Sequence, residues 1–439
     1  MILAVYSGMT FNSNMIVASF NSLVDPIVTG FGVSEAWVIT MMTMSHIIYA
    51  PVSVVVSWMF KNMQPGNVYR IAACLMLLGA WSRLLAFANG STFWVLFVAN
   101  TTFTLTGPIV FNGLSIVVLS WFRENEKATA TSVMGFGAQC GSFAGMAIPG
   151  VIALGLDKTN PEQDLEVIRN CVLVANCILT VICALFLILF RGKPKTPPSK
   201  IALEAEKIAL EKPSGSEKCS ILSKLCKNNN FICNCVIFVI FWGMQSTMAV
   251  ILTPLFSPGN YTTSELSLIG VSFVLGGMIF LFVFGIVLDR TQAYLKAARL
   301  LTTTVVILAI AGIWIIPAGN ISMTSSWAFV VGAFLLPIFT VSLPFTILIT
   351  HPIPSDAANG IMITGSYIFA TVGCLGGAAF FETYWYPAIF TFIGCVMIAC
   401  IAAWLMGNPK AKTVDLGSDT ILKDEEDEGK QRLTGMSDD

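Results

Sequence analysis

The chain has 439 residues, of which 55% are hydrophobic and only 11% charged, and its mean hydropathy is +0.78. Soluble domains carry roughly 25% charged residues, so this composition excludes a soluble protein and points to an integral membrane protein. With a net charge of −1, nothing in the bulk balance suggests nucleic acid.

A helix needs about 20 apolar residues to cross a bilayer. Twelve runs meet or approach that length, at 3–24, 36–60, 69–88, 93–121, 130–155, 169–190, 231–255, 266–288, 297–317, 324–350, 358–381 and 385–406. They are continuous rather than alternating, which predicts helices and not barrel strands. The first run is long enough to span by itself, and no signal peptide with a charged start and a cleavage site precedes it. Of 24 lysines and arginines, Arg83 lies within a run, Lys158 and Arg169 fall on one side, and the other 21 fall on the opposite side. Because cytoplasmic loops carry the excess of both residues, both termini are expected in the cytoplasm. The sequons at Asn89, Asn260 and Asn320 fall in loops that this topology places outside.

Residues 191–230 divide the chain into an N-terminal six-helix bundle, 1–190, and a C-terminal one, 231–406. Within this linker, "IALEAEKIALEK" has apolar positions at helical spacing and reads either as a short amphipathic helix on the inner membrane face or as a solvated linker helix. Residues 407–439 form an acidic tail expected to be disordered. The twelve cysteines are read as small buried hydrophobes. No histidine or cysteine cluster has metal spacing and no nucleophile has a base nearby in sequence, so no enzyme, cofactor or metal is expected.

Each half carries a related loop after its second run, "WMFKNMQPGNVYR" and "GIVLDRTQAYLKAAR". The second resembles the Gly-x-x-x-Asp-Arg loop of the major facilitator superfamily, and the first is a version without the aspartate. That resemblance implies an all-α fold with twelve transmembrane helices as two six-helix bundles and a substrate site between the halves. It also implies a gating or latching role for Asp289 and Arg290.

Ionisable groups inside a span default to functional hypotheses, and they are scarce here. Asp25, Glu35, Glu265, Asp289 and Glu382 all sit at span ends or in loops, which leaves His46, read either as a hydrogen-bonded structural histidine or as a proton carrier. Arg83 reads as snorkelling to the outer surface or pairing with a carbonyl, against a role in binding substrate. Uncharged polar residues are more numerous: Asn14, Asn21, Asn112, Gln139, Asn176, Asn234, Gln245 and Tyr367. Each reads either as interhelical glue or as cavity lining. Glycines around Gln139, in "GFGAQCGSFAG", allow close helix approach, and "GCLGG" in the eleventh run is a candidate for the mirrored contact.

The segments "FGVS", "LGAW", "WFRENEKATATSVMGFGAQCG", "KPKTPPS", "KNNNF" and "LDRTQAYLKA" occur in one order across the membrane body. Together they resemble the feline leukaemia virus subgroup C receptor family, a branch of the same superfamily. The family is associated with choline and ethanolamine uptake and with haem export or regulation. Its cation site is similar to an aromatic cage of tryptophan, glutamine, tyrosine and glutamine. Gln139 matches the first glutamine. The tryptophan position holds Thr40, the tyrosine position Ser246 and the second glutamine position Tyr367, so the cage is altered. Trp242 and Trp37 each lie one turn from a changed position and could replace a ring.

The resemblance therefore implies an alternating-access uniporter of a small polar metabolite, with a choline- or ethanolamine-like amine first. Its candidate substrate-binding residues are Gln139, Tyr367, Gln245, Ser246, Trp242, Thr40 and Asn112. Alternatives are a proton-coupled carrier using His46, a haem exporter, and a membrane receptor that signals without transport. The expected partners are a small-molecule substrate and the lipid bilayer, and no nucleic acid. The expected form is a monomer in the plasma membrane.

Overall fold

In the computed structural model, the described residues are all except 21–22, 89–91, 124–125, 154–160, 193, 195–222, 262, 351–352, 354, 381–384 and 408–439. Among them no strand occurs, and the chain is a succession of helices. In the first half these are α1 (Ile2–Ala18), α2 (Val24–Phe31), α3 (Glu35–Ile47), α4 (Tyr49–Asn62), α5 (Pro65–Ser82), α6 (Phe93–Thr104), α7 (Gly107–Trp121), α8 (Lys127–Ala153) and α9 (Pro161–Leu189). In the second half they are α10 (Asn229–Phe256), α11 (Thr263–Thr291), α12 (Tyr294–Ile315), α13 (Ile321–Leu335), α14 (Ile338–Thr350), α15 (Ser355–Phe380) and α16 (Trp385–Leu405). Nine helical stretches among the described residues are long and apolar enough to cross a membrane, while Ile2–Ala18 and Ile389–Leu405 are shorter apolar helices. The amphipathic segment of the linker, the acidic tail, Asn21, Asn89 and His351 lie outside the described residues.

Three of the expected runs are interrupted. The second breaks at Ile48 between α3 and α4, the fourth at Leu105–Thr106 between α6 and α7, and the tenth at Leu336–Pro337 between α13 and α14. Pro108 and Pro337 explain the latter two, since proline has no N–H to donate and its ring crowds the preceding turn. Both fall in the fourth run of a half, so the interruption repeats with the fold. Broken helices at matching positions of two halves point toward a binding site.

Small residues set the closest helix pairs. α1 lies along α8 and α10 along α15. A Cβ added at Gly137, Gly141 or Gly145 of α8 would strike the α1 backbone at Ser7, Phe11 or Met15 respectively. Without a hydrophobic driving force between helices in lipid, such backbone proximity is what supplies packing energy. The α10–α15 pair repeats the device: Gly243 meets the Ser366 carbonyl and Phe369, and Gly373, from "GCLGG", meets Thr247. Asn234 joins α10 to α14 through Nδ2, donating to the Ser342 carbonyl at 3.0 Å and to Thr346 Oγ1 at 2.8 Å. Asn176 of α9 donates to the Ala80 carbonyl at 2.8 Å. The first asparagine of "KNNNF", Asn228, accepts from the Phe231 N–H at 3.2 Å and so caps α10.

Arg83 differs from the expectation of a snorkelling side chain. It is 0% exposed, its Nη2 donates to Ser19 Oγ at 2.9 Å, and its guanidinium lies 4.2 Å from the centre of the Phe20 ring. Arg83 opens the short 3-10 turn that follows α5, and that turn directs the side chain into the bundle against the end of α1. The described cysteines form no disulfide.

Candidate functional site

The face on which each helix meets the other half follows from its own periodicity. On α8, residues 137, 141 and 145 contact α1. Gln139 lies two positions from Gly137, roughly 200° around the helix, so its side chain points away from α1. Gly135, one turn earlier, has Phe339 and Leu281 as its neighbours, which places Gln139 on the side of α8 that confronts the second half. Its side chain is 2% exposed, and its amide forms no hydrogen bond with another described residue. Its polar atoms are not among those sealed from solvent without a partner, so the amide keeps a narrow opening. The close approach that the surrounding glycines permit is used on α1, by the opposite side of the helix.

Phe339, which neighbours Gly135 of α8, also packs on Trp242 of α10. The Trp242 ring lies 4.7 Å from Phe339, 6.1 Å from Phe238 in a stacked geometry and 6.4 Å from Phe111. Phe111 and Phe339 follow Pro108 and Pro337 in the two interrupted runs, so equivalent segments of the two halves deliver phenylalanines to one tryptophan. Gln245 and Ser246 lie one turn beyond Trp242 on the same face. Both are partly exposed. Gln245 Oε1 is buried without a partner, and the Ser246 hydroxyl donates to the Trp242 carbonyl at 3.3 Å.

Tyr367 of α15 completes the aromatic group. Its ring stacks on Tyr49 of α4 with centroids 3.9 Å apart and planes at 13°, and the His46 ring lies 5.4 Å away at 43°. The Trp242 indole lies within interaction reach of the Tyr367 hydroxyl. One face of Tyr367 is therefore covered by Tyr49. The part that remains open is beside His46 and Trp242.

Beneath this stack a polar chain links the halves. The Tyr49 hydroxyl donates to Asn112 Oδ1 at 3.0 Å, Asn112 Nδ2 donates to Ser53 Oγ at 2.6 Å, and Thr364 Oγ1 of α15 donates to the same Ser53 Oγ at 3.0 Å. Asn112 is thus 3% exposed and fully engaged, a connector rather than an open cavity group. Thr40 uses its hydroxyl on the Ala36 carbonyl of its own helix, at 2.7 Å. Trp37 is 46% exposed and packs edge-on against Trp94 at 5.0 Å, away from Tyr367. Asn14 donates to the Thr10 carbonyl at 3.0 Å, again within its own helix.

Further toward the lysine- and arginine-rich end, three more contacts join the halves. Ser132 Oγ and Thr340 Oγ1 are 3.0 Å apart. Asn359 Nδ2 donates to Ser115 Oγ at 2.7 Å. At the end itself, the two carboxylate oxygens of Asp289 accept from the Ala128 and Thr129 N–H groups at 2.9 and 2.7 Å. These are free donors of the first turn of α8, where the helix dipole also favours an anion. One turn before Asp289, a Cβ on Gly285 would collide with Ser132. The glycine lets α11 approach α8, and the aspartate then reaches the helix end. Arg290 is exposed and makes no hydrogen bond with a described residue.

By helix rise, Asp289 lies roughly 3 Å from its end of α11, and Tyr49 and Tyr367 lie roughly 18–20 Å from the same ends of α4 and α15. The contacts between halves therefore run in tiers from the basic end to mid-depth. The basic end is closed, and His46, Gln245, Ser246 and Tyr367 keep partial exposure at the upper limit of the seal. Sequence reading missed Tyr49, Phe111, Ser53 and Thr364. Pro108 and Pro337 were the available signal for Phe111, and nothing in one sequence marks the face of α4 that meets α15.

Among the described residues no group of three or more histidine, cysteine or acidic residues is placed to hold a metal.

The Major Facilitator Superfamily profile matches residues 3–356. The zebrafish (Danio rerio) choline/ethanolamine transporter flvcr2b is 24% identical over 404 residues, covering 87% of this chain and 80% of that protein. The human (Homo sapiens) choline/ethanolamine transporter FLVCR2 is 24% identical over 421 residues, covering 93% and 78%. Among solved structures, the proton:xylose symporter XylE aligns with a TM-score of 0.65 at 11% identity, covering 92% of this chain and 95% of that one. The Escherichia coli fucose:proton symporter FucP aligns with a TM-score of 0.64 at 16% identity, covering 92% and 97%. The chain belongs to the major facilitator superfamily and is a divergent relative of the FLVCR2 transporters.

Proposed function

We propose that this protein is an alternating-access uniporter of a small polar metabolite, with a choline- or ethanolamine-like amine as the first candidate. The observation that carries this reading is Gln139, an amide that forms no hydrogen bond with another described residue, on the side of α8 that confronts the second half. Its donor and acceptor are both available to a polar solute. Trp242, Tyr367 and Gln245 supply the remaining surface of the site, with Ser246 at its edge and Thr40 at its periphery.

An onium group is attracted to ring faces, and amide oxygens can accept from a hydroxyl or an ammonium. No acidic side chain is placed among these residues, so a compact, strongly hydrated cation would be poorly stabilised there. A weakly hydrated organic cation loses less on entering. The names of the relatives, choline/ethanolamine transporters, support the same class of solute. Downhill uniport is favoured over proton coupling because no acidic side chain lies among these residues to carry a proton between the two openings, which leaves only His46 for that role.

In the transport cycle, solute would enter from the open side, reach Trp242 and Gln139, and be released after the tiers below them part. That step must separate Tyr49 from Tyr367, Ser53 from Thr364, and Asp289 from α8. With the basic end cytoplasmic and the protein in the plasma membrane, the closed tiers would be the inner gate and the conformation described would be outward-facing.

The test is flux of radiolabelled choline and ethanolamine into cells lacking their own carriers, comparing wild type, Gln139→Ala and Trp242→Ala at matched surface expression. Saturable flux in wild type and its loss in both variants is expected. Absence of flux in well-expressed wild type, or variants as active as wild type, would overturn the proposal.

A further inference from the structure

We propose that His46 is a specificity-determining residue of this site, which accepts a hydrogen bond from an N–H of the substrate and so favours protonated primary amines over quaternary ones. The inference rests on the functional reading above and names a residue that the altered aromatic cage does not account for.

Ser45 precedes the histidine on α3. Its hydroxyl donates to the Met42 carbonyl at 3.2 Å, which uses its one proton. Ser45 Oγ is also 3.3 Å from His46 Nδ1, and a hydroxyl that keeps its bond to Met42 accepts from the ring there. The Thr43 backbone carbonyl lies within reach of the same ring. The tautomer we assign on this basis is neutral, with hydrogen on Nδ1 toward Ser45 Oγ and the lone pair on Nε2.

That lone pair is unused. His46 makes no further hydrogen bond with a described residue, and the side chain is partly exposed. The ring lies on the face of α3 that meets the second half, 5.4 Å from Tyr367, at the upper limit of the seal between the halves. Its position is thus that of an acceptor at the mouth of the site, beside a ring able to attract a cation. The glutamine amides present a donor and an acceptor each, whereas the Nε2 of this tautomer presents an acceptor only. A quaternary ammonium has no N–H to offer it. A primary ammonium does, and gains a bond that quaternary analogues cannot form.

The probes are ethanolamine, its N-methyl and N,N-dimethyl derivatives, and choline, a series in which the hydroxyl is constant and one N–H is lost at each step. Competition against labelled substrate is measured for wild type, His46→Phe and His46→Gln in purified protein reconstituted into liposomes. His46→Phe keeps a ring beside Tyr367 and removes the acceptor. His46→Gln restores an acceptor on a neutral side chain.

The expected result is that His46→Phe weakens ethanolamine by about tenfold or more, consistent with a hydrogen bond to a charged group. The penalty should shrink through the series and vanish for choline, and His46→Gln should recover most of it. An equal loss for all four compounds would reduce His46 to a packing residue and overturn the assignment, as would no loss for any. Wild type that binds none of the four would overturn both this inference and the functional reading, whereas an unchanged ranking in an active protein overturns the inference alone.

Discussion

Asp289→Asn tests the seal at the basic end with little change in shape. In the closed arrangement the aspartate accepts two backbone N–H groups at 2.9 and 2.7 Å, at the end of a 27-residue helix. Asparagine keeps one oxygen acceptor and loses the charge. A hydrogen bond to a charged group contributes about 1.5–3 kcal/mol and the dipole term about 0.3–1 kcal/mol. Asp289 is partly exposed, so the lower part of these ranges applies and the closed state should lose about 1–2 kcal/mol. That corresponds to about a 5- to 30-fold shift between closed and open at this end. Spin labels on the exposed residues Asn62 and Gln292, one in each half, would report it by pulsed distance measurement. A new population at longer distance in Asp289→Asn is expected. An unchanged distance distribution in folded protein would refute the assignment of Asp289 as a latch.

Three other substitutions separate packing from polar effects. Gly285→Ala places a Cβ against Ser132 and should open the same end without touching the carboxylate, seen with the same label pair. Tyr49→Phe keeps the stack on Tyr367 but leaves Asn112 Oδ1 without its donor, which should cost about 1–3 kcal/mol and lower the thermal midpoint in detergent. Arg83→Met removes a guanidinium whose Nε and Nη1 are buried without partners. Since replacing an uncompensated buried charge by an apolar group is often neutral or stabilising, its thermal midpoint should stay level or rise, and a fall of several degrees would show a missing partner.

The legible parts of this molecule are those that local chemistry fixes. Continuous apolar runs read as helices because the bilayer offers no other partner for the backbone. Asp289 was picked out by its resemblance to the superfamily loop, and Gln139 because a lone amide stands out in an apolar run. The aromatic group was not legible. Tyr49 sits just after the break at Ile48, which resets the phase of the helix, so counting from His46 or Thr40 does not give its direction. Thr40 was aligned by counting without gaps and Trp37 was named as a ring one turn from it, yet Thr40 bonds within its own helix and Trp37 packs on a neighbouring ring of the same half. Arg83 was misread because a 3-10 turn changes the direction of a side chain at a span end, and no pattern of hydrophobicity records that change.

The most direct test of the central claim is counterflow. Purified protein in liposomes preloaded with unlabelled choline or ethanolamine is diluted into a trace of the labelled compound, with and without a pH gradient. The account predicts a transient uptake overshoot that is unaffected by the gradient and is lost in Gln139→Ala. Labelled solute accumulating only when the pH gradient is imposed, or no overshoot for either amine, would contradict it.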